Sequence, residues 1–266
     1  ISLQEMIIPD SVRSIGESCF FGCSTLKDIT IGTGITSIER STFSDCSSLS
    51  GIAIPKGITI IKDYAFSKCS NLSNFIIEDR NTSLNLGSNG SSAFFADCPL
   101  DSVYIGGKIT YYTSDYKGYS PFYRNTSLRA VVITDEEKQI YDNEFYGCTS
   151  LKNVSVGNGV TTIGKYAFSG CNSLEGLTFG SSVKEIGEEA FSDCNNVKLI
   201  ISGAVNPPVC GLQALDDINK WDGQLNIPIG YKERYTGAEQ WKEFFFIEDN
   251  VVVPYYSLKF VVDSTV

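Results

Sequence analysis

The chain contains no histidine among its 266 residues. That absence removes Ser-His-Asp and Cys-His nucleophilic catalysis, along with the commonest general base and the commonest metal ligand. An enzyme built on this sequence would have to work with carboxylates, lysine or tyrosine. No apolar run approaches the roughly 20 residues of a membrane-spanning helix, so no direct membrane insertion by this segment is expected. Lysine and arginine number 21 against 31 aspartates and glutamates, and no basic run offsets the net charge of −10. A phosphate backbone would be repelled, which excludes nucleic acid and disfavours anionic lipid. The sequence also lacks a C-x-x-C pair for zinc, a G-x-x-x-x-G-K loop for a nucleotide and an EF-hand loop for calcium. No metal or cofactor is expected, and no catalytic residue can be named.

What is present is a repeat. Hydrophobic residues make up 42% and charged residues 20%, the balance of a folded chain. A phenylalanine recurs at Phe20, Phe43, Phe66, Phe95, Phe122, Phe145, Phe168 and Phe191. Three residues later stand Cys23, Cys46, Cys69, Cys98, Asn125, Cys148, Cys171 and Cys194. Leucine or valine follows three further on, as in Leu26, Leu151 and Val197, with Leu100 one residue early. The step is 23 residues except in the middle, where it is 29 and then 27. A fixed period in this range implies a solenoid, because one unit cannot bury its own apolar face and must stack on its neighbours.

Within a unit the residues after the cysteine read L-x-x-I-x-I, and the last two alternate with polar residues as in a strand buried on one face. A Gly- or Pro-containing turn and a second short apolar segment follow, then A-F-x-x-C, too short for a real helix. Leu3, Met6 and Ile8 supply one further strand, giving nine. Cysteines at one equivalent place in successive turns form a column of small buried side chains rather than a disulfide framework or a metal site. All are expected to be free thiols, with Cys19 and Cys210 unpaired with each other.

The stretches "MIIPDSVRSIGESCFFGCSTL" (6–26) and "VSVGNGVTTIGKYAFSGCNSL" (154–174) resemble the BspA-like bacterial leucine-rich repeats of the 23-residue, Treponema pallidum type. The resemblance covers about residues 3–202. It implies a mainly β repeat solenoid: a curved, right-handed stack with a parallel β-sheet, short 3-10 or single-turn helices and a small C-terminal cap. Proteins of this kind are typically secreted or anchored on the outer surface of a bacterium and are associated with adhesion. The family defines no catalytic residues. Asn125 in the cysteine column is consistent with it, since such repeats alternate Asn and Cys where either donates to loop carbonyls.

The expected organisation is a solenoid over 1–202, a capping segment over 203–250 and a tail over 251–266. The capping segment carries L-x-I-P-x-G and W-x-x-F-x-x-I, with Trp241, Phe244 and Ile247 as core. The tail reads as the start of a following β-module, so the chain is expected to be a piece of a longer one. In the two long units, 78–93 and 106–121 are read as polar loops replacing the second apolar segment. Six of the fourteen tyrosines lie at Tyr104, Tyr111, Tyr112, Tyr116, Tyr119 and Tyr123. They either contact a ligand, a use that suits tyrosine's amphipathic area, or cover core where the regular segment is missing. The acidic group Asp135, Glu136, Glu137, Asp142 and Glu144 reads as a solvated turn rather than a calcium site.

Three functions are weighed. One is a non-catalytic surface protein that binds host or microbial proteins through the solenoid face and the Tyr-rich loop. The second is a glycan-binding module that stacks sugars on the tyrosines of 104–123. The third is a structural spacer within a longer surface protein.

Overall fold

The computed structural model describes residues 3–87, 94, 95, 97–111 and 120–252. They form a parallel β-solenoid of about ten turns with almost no helix. Glu5–Ile8 pairs in parallel with Asp28–Ile31. Nine further strands, from Gly51–Ile54 to Phe246–Val251, form one continuous parallel sheet in chain order. Registers run unshifted from unit to unit, as in Ala130↔Asn153 and Val131↔Val154, until the last pair, where Gln224–Pro228 against Phe246–Val251 shifts between Ile227 and Pro228. From Gly51–Ile54 to Leu199–Ser202 each strand buries its second and fourth residues, such as Val154 and Val156, and sets its first and third on the other face, where neighbours leave Val132 and Ser155 little exposed. Alternation thus splits every strand between core and surface.

A second line of two- and three-residue strands runs opposite. It is divided into two groups, Ser37–Ile38 through Ile109–Thr110 and Gln139–Ile140 through Val209–Cys210. Here one expectation is corrected. The segment 78–93 does not lose its second strand: Leu84–Leu86 pairs with Ile60–Ile61, and Ile109–Thr110 of the next unit pairs with Leu84–Leu86. The burial of Leu84 and Ile109 outweighs the polar composition around them, because the stacked core is continuous there.

The A-F-x-x-C segments are runs of tight turns. Residues two before and two after the phenylalanine have positive φ, as at Ser41 (53°) and Asp45 (62°), and this breaks any helix. Their backbones bond to the next rung, with Phe145 N donating to Ala167 O at 2.8 Å. The phenylalanine rings therefore stack in a column, 5.2 Å apart and 6° from parallel at Phe145–Phe168.

Where the long units enter, Phe66 and Phe95 lie 6.3 Å apart. Arg80 is buried at this point. Its guanidinium donates to the carbonyls of Ile54 and Pro55, each at 2.8 Å, and of Ile58.

Past residue 202 the chain adds two more strands to the same sheet, Gln224–Pro228 and Phe246–Val251, and one short helix, Lys232–Thr236. Trp241, Phe244 and Ile247 are buried. The Trp241 indole N–H donates to Pro208 O at 2.8 Å, and the Tyr235 hydroxyl donates to Ala204 O at 2.7 Å. Among the described residues no helix is long and apolar enough to cross a membrane. The tail beyond Val252 lies outside the described residues.

Candidate interaction surface

The outward positions of the main sheet form two rows. From the strand Gly51–Ile54 to the strand Leu199–Ser202, one row reads Gly51, Asn74, Ser102, Ala130, Asn153, Gly176 and Leu199. The other reads Ala53, Ile76, Tyr104, Val132, Ser155, Thr178 and Ile201. None of these fourteen is charged, although charged residues are 20% of the chain and about three would fall there by composition alone. Seven strands spaced about 4.8 Å apart make this strip about 29 Å long.

Its centre is apolar, since Ile76, Tyr104 and Val132 stand directly beside one another in register. Its rim is charged. The residues just before the strands include Asp101, Arg129, Lys152, Glu175 and Lys198, with ion pairs Arg129–Asp101 at 3.1 Å and Lys152–Glu175 at 3.9 Å. On the opposite rim the Tyr104 hydroxyl donates to Asp79 Oδ1 at 2.6 Å. An uncharged centre inside a charged rim is the anatomy of a protein-binding patch.

The tyrosines singled out by sequence do not converge. Tyr104 lies on the sheet face. Tyr111 follows the second strand line, its ring 5.1 Å from that of Tyr141. Tyr123 is on the turn side, stacked on Tyr146 at 5.4 Å with the Arg124 guanidinium over its ring. Tyr112, Tyr116 and Tyr119 lie outside the described residues. A groove of about 630 Å³ opens beside Tyr123, lined also by Asp97, Pro99, Pro121, Arg124 and Thr126.

The acidic group is not a uniformly solvated turn. Asp135 and Asp142 are exposed, and each accepts a backbone N–H from the next rung, Asn158 at 2.6 Å and Lys165 at 2.7 Å. Glu137 and Glu144, in contrast, are each 2% exposed. They sit where the second strand line is divided. Glu137 Oε2 accepts the Ile109 N–H at 2.8 Å, a donor that no strand among the described residues meets on that side. Glu144 occupies the place of the alanine in A-F, and its Oε2 accepts the Tyr141 N–H at 2.7 Å.

Burial pushes the Glu144 carboxyl up to about 8, against the pull of the Tyr141 N–H, and Glu137 beside it adds repulsion. Burial also raises Glu137 and, well above its ordinary range, Tyr111. The Tyr111 hydroxyl is enclosed near Glu144 and Ser120 without the geometry of a full hydrogen bond. Among the described residues no group of three or more potential ligands gathers for a metal ion.

In the column below the turns, each thiol from Cys46 onward donates to the phenylalanine carbonyl one rung back: Cys46 to Phe20 at 3.1 Å, Cys148 to Phe122 at 3.2 Å and Cys194 to Phe168 at 3.2 Å. Asn125 Nδ2 donates instead to Cys98 O at 2.9 Å. The cysteines are free, and burial pushes the Cys46, Cys148 and Cys194 thiols up to about 12, where little thiolate exists to react. Sequence reasoning missed the uncharged strip. Its signal was available in the x positions of L-x-x-I-x-I, read across the repeats instead of along one.

The model of the BspA type leucine-rich repeat region matches residues 1–116 and 117–205, with six copies. A leucine-rich repeat protein from Bacteroides ovatus is 24% identical with a TM-score of 0.51, over 90% of this chain and 64% of that one. This chain thus spans under two thirds of that protein's length. The Treponema pallidum leucine-rich repeat protein is 22% identical over 65% of this chain and 78% of its own, with a TM-score of 0.48. A leucine-rich cell surface protein from Faecalibacterium prausnitzii is 18% identical over 94% and 83%, with a TM-score of 0.34. No curated protein matches the sequence.

Proposed function

The chain belongs to the BspA-type leucine-rich repeat proteins, and from that premise we propose that it binds a partner protein on the uncharged face of its main sheet. Such repeats are protein-interaction modules and typically non-catalytic, and the reading includes no enzymatic activity. It also includes an extracellular or outer-surface location and adhesion to host or microbial proteins, which the family resemblance implies. The observation that supports it is the charge-free strip with Ile76, Tyr104 and Val132 at its centre. Charged groups are depleted at interface cores because they lose hydration without full compensation, whereas tyrosine contributes large contact area at small entropic cost.

The test is a binding screen of matrix and microbial-surface proteins, followed by Tyr104→Ala and Ile76→Lys, both at positions the fold leaves partly exposed. A central anchor is worth about 2 kcal/mol or more, so each change should weaken capture by tenfold or more while the melting temperature stays put. Affinity should also depend little on salt, because the centre carries no charge. Full binding by both variants sinks the proposal. Absence of any ligand would leave the spacer role.

A glycan-binding role draws on a separate feature, the groove beside Tyr123 with its mixed carboxylate, guanidinium and hydroxyl lining. Binding from a glycan array that Arg124→Ala abolishes and Ile76→Lys leaves intact would favour that reading.

A further inference from the structure

One pair in the cysteine column differs from the rest. Cys98 Sγ donates to Phe66 O at 2.9 Å, and the same carbonyl accepts the Cys69 N–H at 3.2 Å. The Cys98 sulfur therefore sits against the Cys69 backbone. Cys69 Sγ, 3.0 Å from Phe43 O, is also hydrogen-bonded to the Cys98 thiol, a contact that together with burial holds Cys69 protonated. Among the described residues no other pair of thiols is joined in this way.

The pair also lies beside an opening. Two residues stand between cysteine and leucine in a regular unit, as from Cys46 to Leu49, but only Pro99 stands between Cys98 and Leu100. The groove of about 630 Å³ opens at this shortened turn, walled by Ser70 on one rung and by Thr126 and Ser127 on another, with Cys98 in its lining. Cys148, Cys171 and Cys194 are fully buried elsewhere in the stack.

We propose that Cys69 and Cys98 are a redox-sensitive pair that hydrogen peroxide, entering by the groove, converts into a disulfide across the junction of two units. Hydrogen-bonded rungs about 4.8 Å apart bring equivalent Cα atoms within the roughly 4.4–6.8 Å that a disulfide spans. The Cys98 sulfur attacks one peroxide oxygen. The O–O bond breaks, the departing hydroxide takes the thiol proton to leave as water, and Cys98 becomes a sulfenic acid. The Cys69 sulfur then attacks the Cys98 sulfur, the S–O bond breaks, and the hydroxyl leaves as water with the Cys69 proton. Two thiols are oxidised and one peroxide is reduced to two waters. The new bond encloses residues 70–97 and staples the widest ring spacing in the phenylalanine column, 6.3 Å between Phe66 and Phe95.

The test treats the folded full chain with hydrogen peroxide, alkylates the remaining thiols in denaturant, and maps crosslinks by mass spectrometry of a non-reducing digest. The expected product joins the Cys69 and Cys98 peptides, is two hydrogens lighter than their sum, and is released by dithiothreitol. Cys148, Cys171 and Cys194 should be recovered alkylated. Cys98→Ser should abolish the crosslink and return Cys69 as a free thiol, whereas Cys171→Ser should leave it intact. The crosslinked protein should melt at a higher temperature than the reduced protein, and reduction should restore the lower value. Recovery of Cys69 and Cys98 as free thiols, at a peroxide dose that oxidises the exposed Cys19, overturns the proposal. So does a Cys98 carried on to sulfinic acid with Cys69 still free, because the two sulfurs would then be unable to join.

Discussion

At the scale of single residues, the informative positions are those where a polar group takes a core place. Glu144 stands where Ala65, Ala167 and Ala190 stand in other units. Its carboxyl, near 4.5 in an unfolded chain, is raised to about 8 in the fold. Between those values the folded state holds a proton that the unfolded state has released, so stability falls as pH rises through that window. Each pH unit of the gap is worth up to about 1.4 kcal/mol. Glu144→Gln keeps an acceptor for the Tyr141 N–H and removes the titration. The variant should be more stable than the parent at pH 8 and nearly equal at pH 4.5, as thermal denaturation across that range will show. An unchanged pH profile would mean Glu144 is ionised in the fold. Asn125 makes the opposite point: its amide still finds a carbonyl, but one on the neighbouring Cys98 instead of a phenylalanine.

At the scale of the repeat element, the turn and its ring act together. Phe168 is fully buried, with Phe145 at 5.2 Å on one side and Phe191 at 5.3 Å on the other. Phe168→Ala should cost about 3–5 kcal/mol, because the neighbouring rungs are fixed by the backbone ladder and cannot collapse into the cavity. Chemical denaturation measures it, and a loss below about 1 kcal/mol would mean that the column repacks. The regular units were legible in the sequence because every apolar position recurs at one spacing. The second strand of the long unit was not. Leu84 and Leu86 sit among polar residues, and only their register beside Ile61 and Ile109 identifies them as core.

At the scale of the molecule, the two long units form a seam. The second strand line is divided between Ile109–Thr110 and Gln139–Ile140, and the ring spacing widens to 6.3 Å at Phe66–Phe95. Stability in a stacked repeat is set by neighbour contacts, so a weak junction lowers cooperativity there. Native-state exchange in moderate denaturant should resolve residues 3–87 and 130–252 as separate cooperative units, with the boundary at the seam. One common opening free energy for both halves would contradict this.

The sequence by itself determined the period, the inward residues and the family, because a stack one unit deep repeats the same burial problem at each step. It also determined what the chain lacks, since an absent histidine is absent in any fold. Tertiary structure decided which residues share a surface. Tyr104, Tyr111 and Tyr123 are close in sequence yet lie on three sides of the solenoid, because one turn of the stack carries the chain all the way round. Ile76, Tyr104 and Val132 are 28 residues apart at each step, yet adjacent, because hydrogen bonding between rungs aligns them. The same alignment buried Glu137 and Glu144 while leaving Asp135 and Asp142 in solvent.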